Sequence, residues 1–383
     1  MRRAFLLCVV LSLSQIMIFI ILTFIRKSDL YMNLWLSSEW THFPRDQRLG
    51  STEQRWQHQN KATASLKAAV TTALMHSEPT EITPFSLSLT RRKSRLKLIV
   101  AILSAPTRTD RRQGIRRTWK SDCNSPDVLC RFFTDSLSAL DESLRNALIK
   151  ENGLYGDVEF MSVPRGYNFA RRFLWILEWS TRNYEFDFVL RIDDDYFLCL
   201  GRLLAELPQR AKTPRLYWGY IHCVTEGQVR VDEGFLLLSA DLVNEFVGNK
   251  SSLLCHPFGD QAVAMWLNNR TDVTRFHDPR VVHTVTSTKP EFKKVKNLCG
   301  TYLALHGSYL HDNLIYWNNV KSNLDMDYWV PSIQPFHEVC KLSTFFDWRK
   351  MVGKLYRWEP KPCATNTVWD FGGYKMHIGR SRM

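Results

Sequence analysis

The chain has 383 residues, 45% hydrophobic and 23% charged, with nine cysteines and a formal net charge of +13. That is ample apolar material for a large core. The positive excess sits outside residues 96–340, which carry 29 Lys and Arg against 29 Asp and Glu, so the centre offers no basic face for a nucleic acid.

Residues 4–25 run for 22 positions without a charge, long enough to span a bilayer as a helix. Arg2 and Arg3 precede them, and Arg26 and Lys27 follow. A cleaved signal peptide would be shorter and would end in small residues, whereas this run ends in Phe24 and Ile25. The expectation is a cytosolic tail over 1–3, an uncleaved transmembrane signal anchor over 4–25 and a lumenal bulk. Residues 26–95 are polar, aperiodic and end in a basic run, which reads as a stem. Cys8 falls in the anchor, and the other eight cysteines face an oxidising lumen and can pair. Their connectivity is open, although Cys123 and Cys130 are close enough for a local bridge. Cys199, just past an apolar strand, reads as a buried free thiol. Asn249-Lys250-Ser251 and Asn269-Arg270-Thr271 are glycosylation acceptors.

The folded part opens with an apolar strand over 96–103, closed by Ser104-Ala105-Pro106. An Arg-rich helix start follows at 110–119. Backbone N–H groups at a helix start attract phosphate and arginine binds it bidentately, so Arg111 and Arg116 are candidate nucleotide contacts, although on its own the segment reads as an ordinary basic helix. Further elements are a strand at 131–135, a helix over 137–149 with Gly153 beyond its end, a strand at 157–160 and an amphipathic helix over 168–184 capped by Asn168. The run 186–192 is a buried strand that ends abruptly in Asp193, Asp194 and Asp195. Three acids cannot continue into an apolar core, so they belong at the strand's C-terminal mouth, where open α/β sheets bind ligands. Their mutual repulsion favours a cation, their oxygens suit Mg2+ or Mn2+, and such an ion favours a diphosphate. The plain alternative is an acidic surface turn.

After the acids come a short helix over 201–207 closed by Pro208, a strand at 216–221 and another at 233–239 running into 240–243. Residues 257–261 open a helix over 262–267, where Asp260 is either a cap or a carboxylate aimed into the cleft. Trp218 is either a sugar-stacking ring or a buried strand residue. Cys299 and His306 lie further on, and 341–383 form a basic, aromatic extension. Strands alternating with helices predict an α/β fold with a doubly wound, mostly parallel, Rossmann-like sheet.

The order of these motifs resembles glycosyltransferase family 31, the β-1,3-galactosyltransferase family. Its R-R-x-x-I-R-x-T-W segment is matched at Arg111 to Trp119, and its N-x-x-x-K helix with a later Trp at Asn168, Arg172 and Trp179, with Arg in place of Lys. Its acidic triplet is matched at Asp193 to Asp195, its Ser-Ala-Asp-Leu-Val segment at Ser239 to Val243, and its late Cys and His at Cys299 and His306. The likeness covers about residues 96–320. Within the family, Leu216 to Gly219, His277 to Arg280, Phe346 to Trp348 and Cys363 resemble the type that adds the second galactose of the glycosaminoglycan linkage region.

The resemblance implies a GT-A fold over 96–340, a UDP-sugar donor, a glycan or proteoglycan acceptor and inversion at the anomeric carbon. It implies Mn2+ (or Mg2+) held by Asp195 and His306, with Asp193 and Asp194 holding ribose or sugar hydroxyls and supporting the metal. An inverting displacement needs one base opposite the leaving UDP, and that role falls to Asp260. The expected protein is a Golgi type II membrane enzyme transferring galactose in β-1,3 linkage. The alternatives are an N-acetylhexosaminyl transferase on the same fold, a non-catalytic Golgi lectin or chaperone-like relative, and a secreted calcium-binding lectin. Two departures stand out. The family's Glu-Asp-Val is Gly259-Asp260-Gln261 here, and its Gly-rich turn is Glu233-Gly234-Phe235.

Overall fold

A computed structural model describes residues 93–223, 229–321, 329–347, 350 and 361–365. The expected anchor over 4–25, nearly all of the stem and most of the 341–383 extension lie outside the described residues. Among the described residues no helix is long and apolar enough to cross a membrane.

The chain runs β1 (Ser94–Leu103), α1 (Thr109–Arg116), β2 (Val128–Asp135), α2 (Glu142–Tyr155), β3 (Val158–Met161), α3 (Phe169–Asn183), β4 (Tyr184–Asp193), β5 (Tyr196–Leu198), α4 (Leu200–Arg210), β6 (Leu216–His222) and β7 (Arg230–Ser239). It continues through α5 (Ala240–Gly248), β8 (Leu254–Cys255), α6 (Gly259–Trp266), β9 (Thr274–His277), β10 (Val281–Val282), α7 (Pro290–Lys293), α8 (Leu298–Thr301), β11 (Ala304–His306), α9 (Leu310–Lys321), α10 (Phe336–Val339) and β12 (Lys361–Pro362). The main sheet has the order β3-β2-β1-β4-β7-β6-β9. β3, β2, β1 and β4 run parallel, β7 is antiparallel to β4 and β6, and β9 is parallel to β6. A small sheet, β10-β11-β5, adjoins it.

The sheet is covered on both faces because alternate side chains of the central strands point to opposite sides. Leu98, Val100, Ile102 and Leu190 pack with Trp119, Leu203 and Tyr316 on one side. Leu96, Ile99 and Val189 pack with Phe173, Leu242 and Val263 on the other. This is the α/β, mostly parallel architecture expected from the alternation of elements.

Several boundaries differ from the sequence expectation. Residues 137–139 form a separate 3-10 turn. Asp141, whose side chain accepts from Leu144 N, starts α2, which passes Gly153 and stops at Gly156 with φ of 62°. Asn168 heads α3 without a side-chain cap; its amide donates to the Pro164 and Arg165 carbonyls instead. Pro208 lies inside α4 rather than closing it. Residues from Ala240 on begin α5 and do not extend β7.

Four disulfides hold the structure: Cys123–Cys130, Cys199–Cys299, Cys223–Cys340 and Cys255–Cys363. The local bridge is the expected one. Cys199 is not a free thiol: it ties the residue after β5 to α8, just ahead of β11 in the chain. The Cys255–Cys363 bridge and the paired hydrogen bonds between Asn268 and Phe346 fasten the described parts of the C-terminal extension.

Candidate active site

β1 and β4 end level, Leu103 opposite Asp193, so the triplet emerges at the C-terminal edge of the parallel half. Asp193 Oδ1 lies 3.0 Å from Arg191 Nη2. Asp194 is buried, with Oδ1 2.8 Å from Arg111 Nη1, while its buried Oδ2 has no hydrogen-bond partner. Asp195 Oδ2 lies 3.2 Å from the same Arg111 nitrogen. Burial pushes the Asp193 and Asp194 carboxyls up; Arg191 and Arg111 respectively oppose this, and the neighbouring aspartates reinforce it.

The small sheet brings His306 to the triplet. β5 leaves directly from Asp195 and pairs antiparallel with β11, placing His306 opposite Tyr196. The imidazole stacks on the Tyr196 ring at 4.9 Å. His306 Nδ1 lies 2.7 Å from the His283 carbonyl oxygen, which can only accept, so Nδ1 carries a proton and in the neutral ring the lone pair is on Nε2. That Nε2 faces Asp195 Oδ1 at 3.7 Å, beyond hydrogen-bond range. The Asp195 carboxylate and the His306 imidazole are donors of the kind that Mn2+ or Mg2+ takes. Among the described residues no three His, Cys, Asp or Glu gather closely enough to hold an ion alone.

Three arginines of α1 have different fates. Arg111 faces the triplet, with Tyr309 against its guanidinium. Arg116 does not reach it: Glu151 and Asp157 take its guanidinium, which stacks on Tyr155. Arg112, fully buried, binds Glu151, Ser104 and the carbonyls of Ala105 and Pro106 and so braces the turn between β1 and α1.

The other side of the cleft is built from β7 and α6. Asp260 is the second residue of α6 and not its cap; it is 8% exposed. Its Oδ2 lies 2.5 Å from Arg230 Nε, and its Oδ1 accepts from Gln261 N. Glu233 Oε2 accepts from Gly259 N at 2.7 Å and lies 4.0 Å from Arg191 Nη2. Arg191 also donates to the Glu233 carbonyl. Burial lifts the Glu233 carboxyl to about 8, against the pull of Arg191 and with Asp260 and Asp193 adding to the rise. The two departures from the family pattern are therefore one contact: Glu233 fills the space above Gly259. A polar chain runs from Asp193 through Arg191 and Glu233 to the start of α6, where Asp260 meets Arg230.

Trp218 is fully buried with its indole N–H donating to Asp278, which removes it as a sugar platform. Asn249 and Asn269 are exposed. Sequence reasoning missed Arg191, His283, Arg230 and Glu233 as site residues. Arg191 carried a signal, a lone cation inside an apolar strand, and Glu233 stood in one of the two departures from the family pattern.

A family model described as Galactosyltransferase matches residues 110–236. The beta-1,3-galactosyltransferase 6 of Mus musculus is 30% identical over 225 residues, covering 52% of this chain and 68% of that protein. The hydroxyproline O-galactosyltransferase GALT2 of Arabidopsis thaliana is 26% identical over 130 residues, 33% of this chain, which spans 19% of that protein. Among solved structures, a glycosyltransferase involved in glycosylation of the major capsid of PBCV-1 matches with a TM-score of 0.37 and 12% identity, covering 57% of this chain and 96% of that one. The chain belongs to the β-1,3-galactosyltransferase family, glycosyltransferase family 31, and is a hexosyltransferase.

Proposed function

We propose that the protein is a metal-dependent, inverting β-1,3-galactosyltransferase that uses UDP-galactose. The observation that carries this reading is the His306 imidazole, locked by the His283 carbonyl with its free nitrogen toward Asp195. Such an arrangement suits a cation-bound diphosphate. Asp195 and His306 would hold the Mn2+ or Mg2+, which supplies Lewis-acid stabilisation of the departing diphosphate. Asp193 binds ribose or sugar hydroxyls, and the buried Asp194 supports the site through Arg111. Arg111 itself lies within reach of a phosphate at this edge, whereas Arg116 is spent on Glu151 and Asp157. Asp260 accepts the proton of the acceptor hydroxyl as that oxygen attacks the anomeric carbon and UDP leaves on the opposite face. No covalent intermediate is needed.

The acceptor is a β-galactoside of the proteoglycan linkage region, in keeping with the segments that resemble that type. The enzyme is anchored in the Golgi as a type II membrane protein: residues 4–25 suit a signal anchor, and four disulfides and two exposed sequons suit a lumenal domain. The test is UDP release with Mn2+ from a panel of UDP-sugars against β-galactosides and xylosides. Turnover highest with UDP-galactose and a β-galactoside is expected. Well-folded protein with no turnover on any pair would refute the reading.

A further inference from the structure

The start of α6 lacks a cap of its own. Phe258 occupies the N-cap position and offers no side-chain acceptor. Early N–H groups of a helix have no partner within it and attract negative charge. Glu233, 26 residues earlier on β7, supplies an acceptor from outside through its 2.7 Å bond to Gly259 N. The same oxygen is 4.0 Å from Arg191 Nη2, and Arg191 in turn holds Asp193. Glycine at 259 leaves the room in which the carboxylate sits. A Cβ there would lie 2.7 Å from Glu233 Oε2, with the next nearest atom, the Phe169 carbonyl oxygen, at 3.7 Å. The side-chain tip, not the backbone, would give way. Gly259 N belongs to the Phe258–Gly259 peptide, so Glu233 anchors the backbone one peptide unit ahead of the one that leads into Asp260.

We propose that Glu233 is a positioning residue for Asp260: it caps α6 from the neighbouring strand, fixes the direction of that carboxylate, and ties it through Arg191 to the acidic triplet, with Gly259 as its required counterpart. This rests on the reading of Asp260 as the base. The raised affinity of Glu233 for a proton fits the role, since a neutral carboxyl still accepts from Gly259 N through its carbonyl oxygen.

The test uses the full catalytic chain with Glu233→Ala, Glu233→Gln, Gly259→Ala and the Glu233→Ala/Gly259→Ala double variant. A base misplaced by about 1 Å costs about 10²-fold, so Glu233→Ala and Gly259→Ala should each lower kcat by about that factor while KM for the donor stays within about twofold. Glu233→Gln should recover most of the loss seen with Ala. The double variant should be no worse than either single, because both remove one contact. Losses that multiply, or a Glu233→Ala enzyme with near-normal kcat, would overturn the proposal. Hydrogen exchange of the Gly259 amide supplies a readout without turnover: faster in Glu233→Ala, restored in Glu233→Gln. Unchanged exchange overturns the contact. A wild type without turnover but with the expected exchange overturns the reaction and leaves the cap standing.

Discussion

The two walls of the cleft are held by different means. The wall proposed to bind the donor, with Asp193 to Asp195, Arg111 and His306, is positioned by backbone. Parallel pairing of β1 and β4 sets the triplet, antiparallel pairing of β5 and β11 sets His306, and the Cys199–Cys299 bridge ties the two segments. The wall proposed to hold the base, with Arg230, Glu233, Gly259 and Asp260, is positioned by side chains. A glutamate holds the Gly259 N–H just ahead of Asp260 and an arginine holds the Asp260 carboxylate, and neither contact is a sheet ladder. Backbone ladders impose a geometry on whatever residues occupy them. Side-chain contacts depend on each partner's identity, and this wall is where the chain leaves its family's pattern.

The sharpest way to separate the walls is Asp260→Asn. Loss of a general base removes about 10³-fold from kcat, while the donor site is untouched. Turnover should collapse with UDP binding in Mn2+ unchanged by calorimetry; near-normal turnover would remove Asp260 as the base. On the other wall, His306→Ala should lower turnover by about 10²-fold and raise the Mn2+ concentration needed for UDP binding. Here binding and rate should fall together, so metal-dependent UDP affinity equal to wild type would discard His306 as a ligand.

A third variant attacks the backbone scaffold. Cys199→Ser/Cys299→Ser opens a bridge between residues 100 apart. It should cost about 2–5 kcal/mol in denaturant unfolding. If the bridge also holds the donor wall, the variant should bind UDP in Mn2+ more weakly at temperatures where it is folded. Full stability would show that the small sheet holds without it.

What the sequence revealed follows the same division. The triplet was legible because three acids ending an apolar strand have few structural uses, and the parallel half of the sheet followed from the alternation of elements. His306 was found through motif order, but its tautomer depends on the His283 carbonyl, a contact 23 residues away. Arg111 and Arg116 looked equivalent in the motif. Five residues at 3.6 per turn put them about 140° apart, so only one faces the triplet. Cys199 was misread because its partner lies 100 positions on. The Glu233–Gly259 contact joins a strand to a helix start, and no local pattern announces it. Gly259 was visible alone as the loss of a glutamate and Glu233 as a bulky group at a usually small position; their contact joins the two.

The smallest expected effect lies in pH. Glu233 holds its proton up to about 8 in the folded chain, through burial and the nearby Asp260 and Asp193, against Arg191 and the Gly259 N–H. The unfolded chain releases that proton in the ordinary carboxylate range. Between those limits the folded state binds more protons, so stability falls as pH rises and the penalty is complete above about 8. Asp193, also raised, contributes in the same direction. The Glu233 side chain keeps 21% exposure, so solvent reduces the size of the effect. Glu233→Gln removes its share. Thermal midpoints of metal-free protein should decline less from about pH 5 to about pH 8 in this variant than in wild type, leaving the residual slope of Asp193. Parallel curves would show that Glu233 is ionised in the folded state, in which case the α6 cap is a charged carboxylate and Glu233→Gln should weaken it.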